Sequence, residues 1–428
     1  MEPVQQFLHT ASAGGVVLAL AAAVALVWAN VHGSSYTELW TTDIDLSVGD
    51  WSAHTTLQKL AKDGLMAVFF FVVGLEIKRE LTIGELADRR VARVPFFAAL
   101  GGMVVPALIY AAFNAGGAGA DGWGIPMATD IAFAVGVLSL LSRRVPVTLG
   151  AFLLAIAVID DIGAILVIAV FYSGGLAPLW LLGAGLCLAG VWLMLRWRVR
   201  LVVPYALLAI GAWAFMAGSG VSPTIAGVAL GLLMPVRPWA DPDATAHEAA
   251  DVAADLGDGS VTHGEALAGW RRMDDLGRQA VPLAERLEVV MHPWSAFVVL
   301  PLFALAWAGI PLGGGALGDA AGSAVTLGVA LGLVAGKLLG VTLGTWMAVR
   351  LGLGVLPAGV RWPHVAGVAA LAGIGFTVSV FVSSLAFSDP GLVDEARVGI
   401  VGASLVAGLL GAAILLAAGR TDRRRAGA

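Results

Sequence analysis

Apolar residues in this chain come in long unbroken runs, not in alternation with polar ones. About twelve such runs, centred near residues 20, 70, 104, 131, 160, 186, 208, 228, 298, 337, 376 and 407, approach the ~20 residues that a helix needs to cross a bilayer. The run near 228 is short. Strands of a membrane β-barrel would alternate polar and apolar with period two. These runs are continuous, so the pattern predicts helices. Two stretches depart from it. Residues 32–58 contain "TTDIDLSVGDW", a period-two pattern around Gly49-Asp50, which predicts a small hairpin outside the bilayer. Residues 236–286, with "DPDATAHEAADVAADLGDGS", predict an acidic, solvated cytoplasmic loop. Its "HEAAD" lacks the second histidine of a zinc-protease helix.

Composition agrees. Of 428 residues, 59% are hydrophobic and 13% charged, against about 25% charged in soluble domains. The mean hydropathy is +0.88. The leader "MEPVQQFLHTASAGG" has no Lys or Arg, so the first run is expected to be a retained span and not a signal peptide. A single cysteine, Cys187, excludes an intrachain disulfide. The net charge of −5 gives no sign of a nucleic-acid partner.

Where the basic residues stand matters more than their total. The loop after span 2 holds Lys78, Arg79, Arg89, Arg90 and Arg93. Alternate loops and the C-terminal tail raise that side to 21 of the 25 Lys and Arg residues. The opposite side has three: Lys59, Lys62 and Arg397. This bias predicts an even number of spans with both termini in the cytoplasm. The remaining basic residue, Lys337, lies inside span 10.

Charges at membrane depth are few because each costs roughly 2.5–3.5 kcal/mol on insertion scales. They are Asp130, the adjacent pair Asp160 and Asp161 in "AIAVIDDIGAILVIAVF", and Lys337 in "GLVAGKLLGVTLG". A structural reading makes them a buried ion pair, with Asp130 capping a helix. The adjacent pair needs more than that. Consecutive helical residues point about 100° apart, so the two cannot share one partner. One is free to meet Lys337 while the other faces a water-filled cavity. Two carboxylates this close form a site able to trade protons for a cation. The chain has 21 arginines and four lysines, yet it uses lysine here, the basic residue that can lose its proton. Spans 4 ("GWGIPMATD") and 11 ("GVAALAGIGFTVSVFVSSLAF") look interrupted by Gly, Pro and hydroxyl residues. They are the middle spans of 3–5 and 10–12, which start on opposite sides, and such paired breaks point to a transport site at their crossing.

These residues resemble the NhaA-type Na+/H+ antiporters over nearly the whole chain. The resemblance rests on "LMAVFFFVVGLEIKREL" (65–81), "GGMVVPALIY" (101–110), "MATDIAFAVGVLSLL" (127–141), "AIAVIDDIGAILVIA" (155–169), "HPW" (292–294), "GKLLG" (336–340) and "GIGFTVSVFVSSLAF" (373–387). It implies one all-α polytopic membrane domain over 1–428, of about 12 transmembrane helices, with inverted repeats and spans 4 and 11 discontinuous and crossing at mid-membrane. It implies Asp161 as principal Na+ or Li+ ligand, Asp160 as its neighbour or as the partner of Lys337, and Thr129 as a further oxygen. Asp130 and Lys337 would offset half-helix charges. Glu76, Glu288 and His292 match positions linked to pH response, and the hairpin at 32–58 matches a homodimer contact. The expected activity is electrogenic exchange of Na+ or Li+ for H+ across the cytoplasmic (inner) membrane, serving Na+ and pH homeostasis. It is not an enzyme, and it has no cofactor beyond the transported ions. Two features depart from the family: the loop at 236–286 is longer, and Ser222 and Val289 stand where better-known members carry histidines.

Other buried-charge proteins fit less well. A retinal protein would not need twelve spans. An intramembrane aspartyl protease would carry Gly-x-Gly-Asp where this chain reads "MATD" and "AVIDD". A proton-coupled solute carrier would need a larger and more varied pocket.

Overall fold

A backbone in hydrocarbon must satisfy its own N–H and C=O groups, and each apolar run does so as a helix. A computed structural model describes residues 2–48, 51–199, 201–257, 262–310 and 322–426, with Gly313, Gly318 and Ala320. Among these, eight helices are long and apolar enough to cross a membrane: Ala13–Val31, Arg89–Asn114, Ala120–Leu140, Thr148–Phe171, Pro178–Arg196, Leu283–Trp307, Ala324–Arg350 and Pro390–Arg420 (spans 1, 3, 4, 5, 6, 9, 10 and 12). The pair Trp362–Leu371 and Phe376–Ala386, bent by 49°, makes a ninth, span 11. Three further segments are apolar but shorter or interrupted. Span 2 covers residues 57–82 and contains a π-wound turn at Ala61–Leu65. Span 7 is Val202–Gly218 and span 8 is Thr224–Leu233. At 1.5 Å per residue span 8 is only about 15 Å long, half a hydrocarbon core. All twelve centres expected from the sequence fall on these helices.

Burial separates the inner spans from the outer. The apolar stretch of span 4 is 61% buried, and those of spans 5 and 10 are 56% buried, against 11% for span 6. Spans 4, 5, 10 and 11 therefore form the centre.

Glycines bring several helix pairs into backbone contact. Gly328, Gly332, Gly336, Gly340 and Gly344 recur every four residues along span 10, and each lies against span 3 or the start of span 4. A Cβ added to Gly340 would sit 2.2 Å from the Gly101 carbonyl oxygen, and one on Gly344 2.1 Å from that of Phe97. Four-residue steps overrun a 3.6-residue turn by about 40° each. A π-wound turn at Gly332–Gly336 takes up an extra residue and keeps the row facing its partner. Spans 2 and 8 pack the same way, with Gly227 and Gly231 on the Ala67 and Phe71 carbonyls at 2.1 and 2.5 Å by the same measure. Small residues that let backbones approach are the usual glue between membrane helices.

Outside the spans, β1 (Asp43–Val48) pairs antiparallel with β2 (Trp51–Thr56), Asp43 opposite Thr56 and Val48 opposite Trp51. The expected Gly49-Asp50 turn lies outside the described residues. A short helix, Gly33–Trp40, precedes the hairpin, and alternation did not predict it. The Tyr36 hydroxyl anchors it to the Leu305 carbonyl at 2.9 Å.

The segment 236–286 is not an irregular loop. It holds two helices, Pro242–Gly257 and His263–Ala280, joined by an ion pair between Arg272 and Glu248. The second opens with a capping box, in which the Glu265 carboxylate accepts from the Thr262 amide at 2.9 Å. The acidic residues stud helix surfaces whose Ala and Leu positions give the helical period.

Candidate functional site

Two broken helices meet at the centre. In span 4, tight 3-10 turns over Ala120–Met127 give way to extended backbone at Ala128 and Asp130, and helix resumes at Ile131. Pro126 contributes to the break because it has no N–H to donate. In span 11, helix stops at Leu371 and restarts at Phe376. Gly373 permits close approach there: a Cβ on it would lie 2.4 Å from the Leu333 carbonyl oxygen.

The broken ends satisfy one another. The Asp130 amide donates to the Ile374 carbonyl at 2.6 Å, and the Ser379 hydroxyl to that of Ile125 at 2.8 Å. Asp130 serves two helix starts. Its Oδ1 accepts from the Phe133 amide at 3.2 Å, and its Oδ2 from the Thr377 amide at 3.0 Å and hydroxyl at 2.5 Å. A carboxylate suits helix N-termini, where the unpaired N–H groups carry partial positive charge.

Span 5 is continuous past both breaks and carries the adjacent aspartates, each buried. Asp160 Oδ2 accepts from Lys337 Nζ at 2.6 Å and from the Thr129 hydroxyl at 2.8 Å. Lys337 and Asp160 have no exposed side-chain surface. Thr129 has one hydroxyl proton and also lies 2.9 Å from the Ala372 carbonyl, so its bond to Asp160 is shared. Lys337 follows the π-wound turn of span 10, and its stem passes over Gly102.

Asp161, offset around the helix, lines a chamber of about 70 Å³ with Glu76, Thr129, Asp130, His292 and Ser295. Its Oδ2 is buried and has no hydrogen-bond partner among the described residues, and the same holds for Asp160 Oδ1 and Glu76 Oε1. The structure thus brings together Thr129, Asp130, Asp160, Asp161 and Lys337, and it adds Glu76 and His292 through the chamber. Glu288 stands apart, paired with Arg79 Nη1 at 2.5 Å, while Arg79 Nη2 reaches Glu80 at 3.1 Å.

Sequence reasoning assigned no role to Arg79, Thr377 or Ser295. The clue to Arg79 was its place between Glu76 and Glu80 in "GLEIKREL". Among the described residues no three His, Cys, Asp or Glu groups converge to chelate a metal. The oxygen donors lining the chamber are of the type that suits a hard cation.

A profile of the family described as Na+/H+ antiporter 1 matches residues 5–415. The Na(+)/H(+) antiporter NhaA 2 of Sorangium cellulosum is 45% identical over 96% of this chain and 89% of its own length. The protein of the same name from Myxococcus xanthus is 44% identical over 99% and 92%. The Na(+)/H(+) antiporter NhaA of a Janthinobacterium species is 45% identical over 96% and 91%.

Proposed function

This chain belongs to the Na+/H+ antiporter 1 family, and from that premise we propose how it exchanges Na+ for H+. It is a transporter and not an enzyme. The exchange site is the carboxylate pair of span 5. Asp161 is the principal ligand of Na+ or Li+, Thr129 a neighbouring oxygen, and Asp160 the partner of Lys337. The observation that carries this reading is the division of the pair: one aspartate is neutralised by a buried lysine, and the other turns an unpartnered oxygen to a chamber.

The cycle follows from charge. A dehydrated Na+ needs anionic oxygen, which a protonated carboxyl does not offer, so Na+ and H+ compete for Asp161. Release of one proton from Asp161 and a second from the Asp160–Lys337 pair per Na+ bound makes exchange electrogenic. Asp130 and Lys337 keep the half-helix ends neutral. Glu76, Glu288 and His292, with the Arg79 pair between them, carry the response to pH. The 21-to-3 bias of basic residues supports cytoplasmic termini in the cell membrane, and the hairpin is the contact of a homodimer.

The test is reconstitution in liposomes with an imposed pH gradient. Na+ and Li+ should dissipate it and K+ should not, and Asp161→Asn should insert normally yet lose exchange. Near-normal Na+-driven proton efflux from that variant overturns the assignment.

A further inference from the structure

The chamber beside Asp161 has a second carboxylate in its wall. Glu76 Oε1, like Asp161 Oδ2, is buried without a hydrogen-bond partner among the described residues. A buried carboxylate oxygen left unpaired is unfavourable, and native proteins complete such groups with water or an ion. The other polar groups of the wall are largely committed. Both Asp130 oxygens serve helix starts, and the Thr129 hydroxyl serves Asp160 and Ala372. Arg79, three residues on from Glu76, is held by Glu288 and Glu80.

Ser295 is the remaining hydroxyl on that wall. It opens the π-wound turn Ser295–Val299 of span 9, two residues after Pro293. A π-wound turn of this kind is a distortion often met at functional sites. Glu76 on span 2 and Asp161 on span 5 both line this one chamber. One water needs about 10–15 Å³, so the 70 Å³ present take a cation together with part of its hydration shell.

We propose that Glu76 and Ser295 form a second Na+ subsite, where the ion waits partly hydrated before it sheds water onto Asp161. The inference rests on the antiport reading above. It makes Glu76 a ligand of the transported ion and not only a group that answers to pH.

Thermal unfolding of the full-length protein in detergent tests binding apart from transport, with Na+ replaced by K+ or choline at constant ionic strength. Asp161→Asn should keep a Na+-specific rise in melting temperature, at roughly tenfold higher Na+ than wild type requires. That rise should vanish in Asp161→Asn/Glu76→Gln and weaken in Asp161→Asn/Ser295→Ala. Loss of all Na+ response in Asp161→Asn, or its persistence in the Glu76 double variant, overturns the subsite. If Glu76→Gln does not fold, the serine variant decides: an undiminished response there overturns it.

In proteoliposomes Glu76→Gln should raise the half-saturating Na+ concentration about tenfold at every pH, and Glu76→Asp, which keeps the charge, should recover most of the affinity. A purely pH-responsive Glu76 would shift the pH profile and leave that concentration unchanged, which also overturns the subsite. Wild-type flux separates the two claims. If Na+ drives no proton movement in wild type, the antiport reading fails; if it does and Glu76→Gln behaves as wild type, only the subsite fails.

Discussion

Lys337→Met removes an ammonium and leaves an apolar side chain of comparable length in its place. In wild type Asp160 Oδ2 accepts from Lys337 at 2.6 Å and from Thr129 at 2.8 Å, while Oδ1 has no partner among the described residues. After the substitution the carboxylate keeps only a hydroxyl shared with Ala372. Both partners are fully buried, so solvent screening gives no relief. Breaking a buried pair from one side typically costs about 3–5 kcal/mol, whereas replacing both partners by uncharged groups is often close to neutral. Lys337→Met and Asp160→Asn should therefore each destabilise by an amount in that range. The double variant should recover most of the loss, with a coupling energy of about 5 kcal/mol or more. The assay is unfolding of the four proteins in one detergent, followed by tryptophan fluorescence, alongside the pH profile of transport, which Lys337→Met should also shift. Wild-type stability in Lys337→Met, or a double variant no better than its parents, would refute the pairing.

Three further outcomes are expected. Gly340→Ala should destabilise by about 1–3 kcal/mol, because its Cβ would meet the Gly101 carbonyl oxygen at 2.2 Å; Gly402→Ala, with nothing within 4 Å, should be neutral or slightly stabilising in the same melts. The half-saturating Na+ concentration should rise up to about tenfold for each pH unit of acidification per proton displaced, and level off at alkaline pH; a flat dependence with only the maximal rate changing would argue for a dedicated sensor. The capping hydrogen bonds from Thr262 hold the Glu265 carboxyl below its ordinary value of 4.5, so the cap contributes stability above that pH and loses it as pH falls through the lowered value. Protection factors against hydrogen exchange at the start of the His263–Ala280 helix should fall there in wild type and show no such step in Glu265→Gln.

Much of this architecture was legible in the sequence, because hydrocarbon leaves a helix little alternative. The breaks at Pro126 and Gly373 were visible as glycine and proline at membrane depth, and the different facing of Asp160 and Asp161, about 100° apart, followed from helix geometry alone. What escaped depended on tertiary neighbours or on unused local cues. The four-residue row from Gly328 to Gly344 was in plain view, but its partner on span 3 was not. Thr262 and Glu265 form a capping box, a signal outweighed by the acidity of the surrounding segment. Glu76 was expected from the resemblance as a position linked to pH response, and only the fold of spans 4 and 9 around it brings it to the Asp161 chamber.

The glycine rows have a mechanical consequence. Spans 3 and 10 touch backbone to backbone, so neither can slide on the other without collision. Lys337 ties that unit to span 5, and the hydrogen bonds between the breaks tie span 4 to span 11. Spans 2 and 8 are locked in the same manner, and the Arg79–Glu288 pair joins span 9 to them. These ties make two blocks of helices, bridged by span 1 through Gly15 against Ala132 and Gly14 against Ala296, and the chamber lies in the seam between them. Displacement along that seam alters the chamber without parting the glycine contacts within either block. Asp161 rides on one block and Glu76 on the other, so their separation is the coordinate that such a displacement changes most directly.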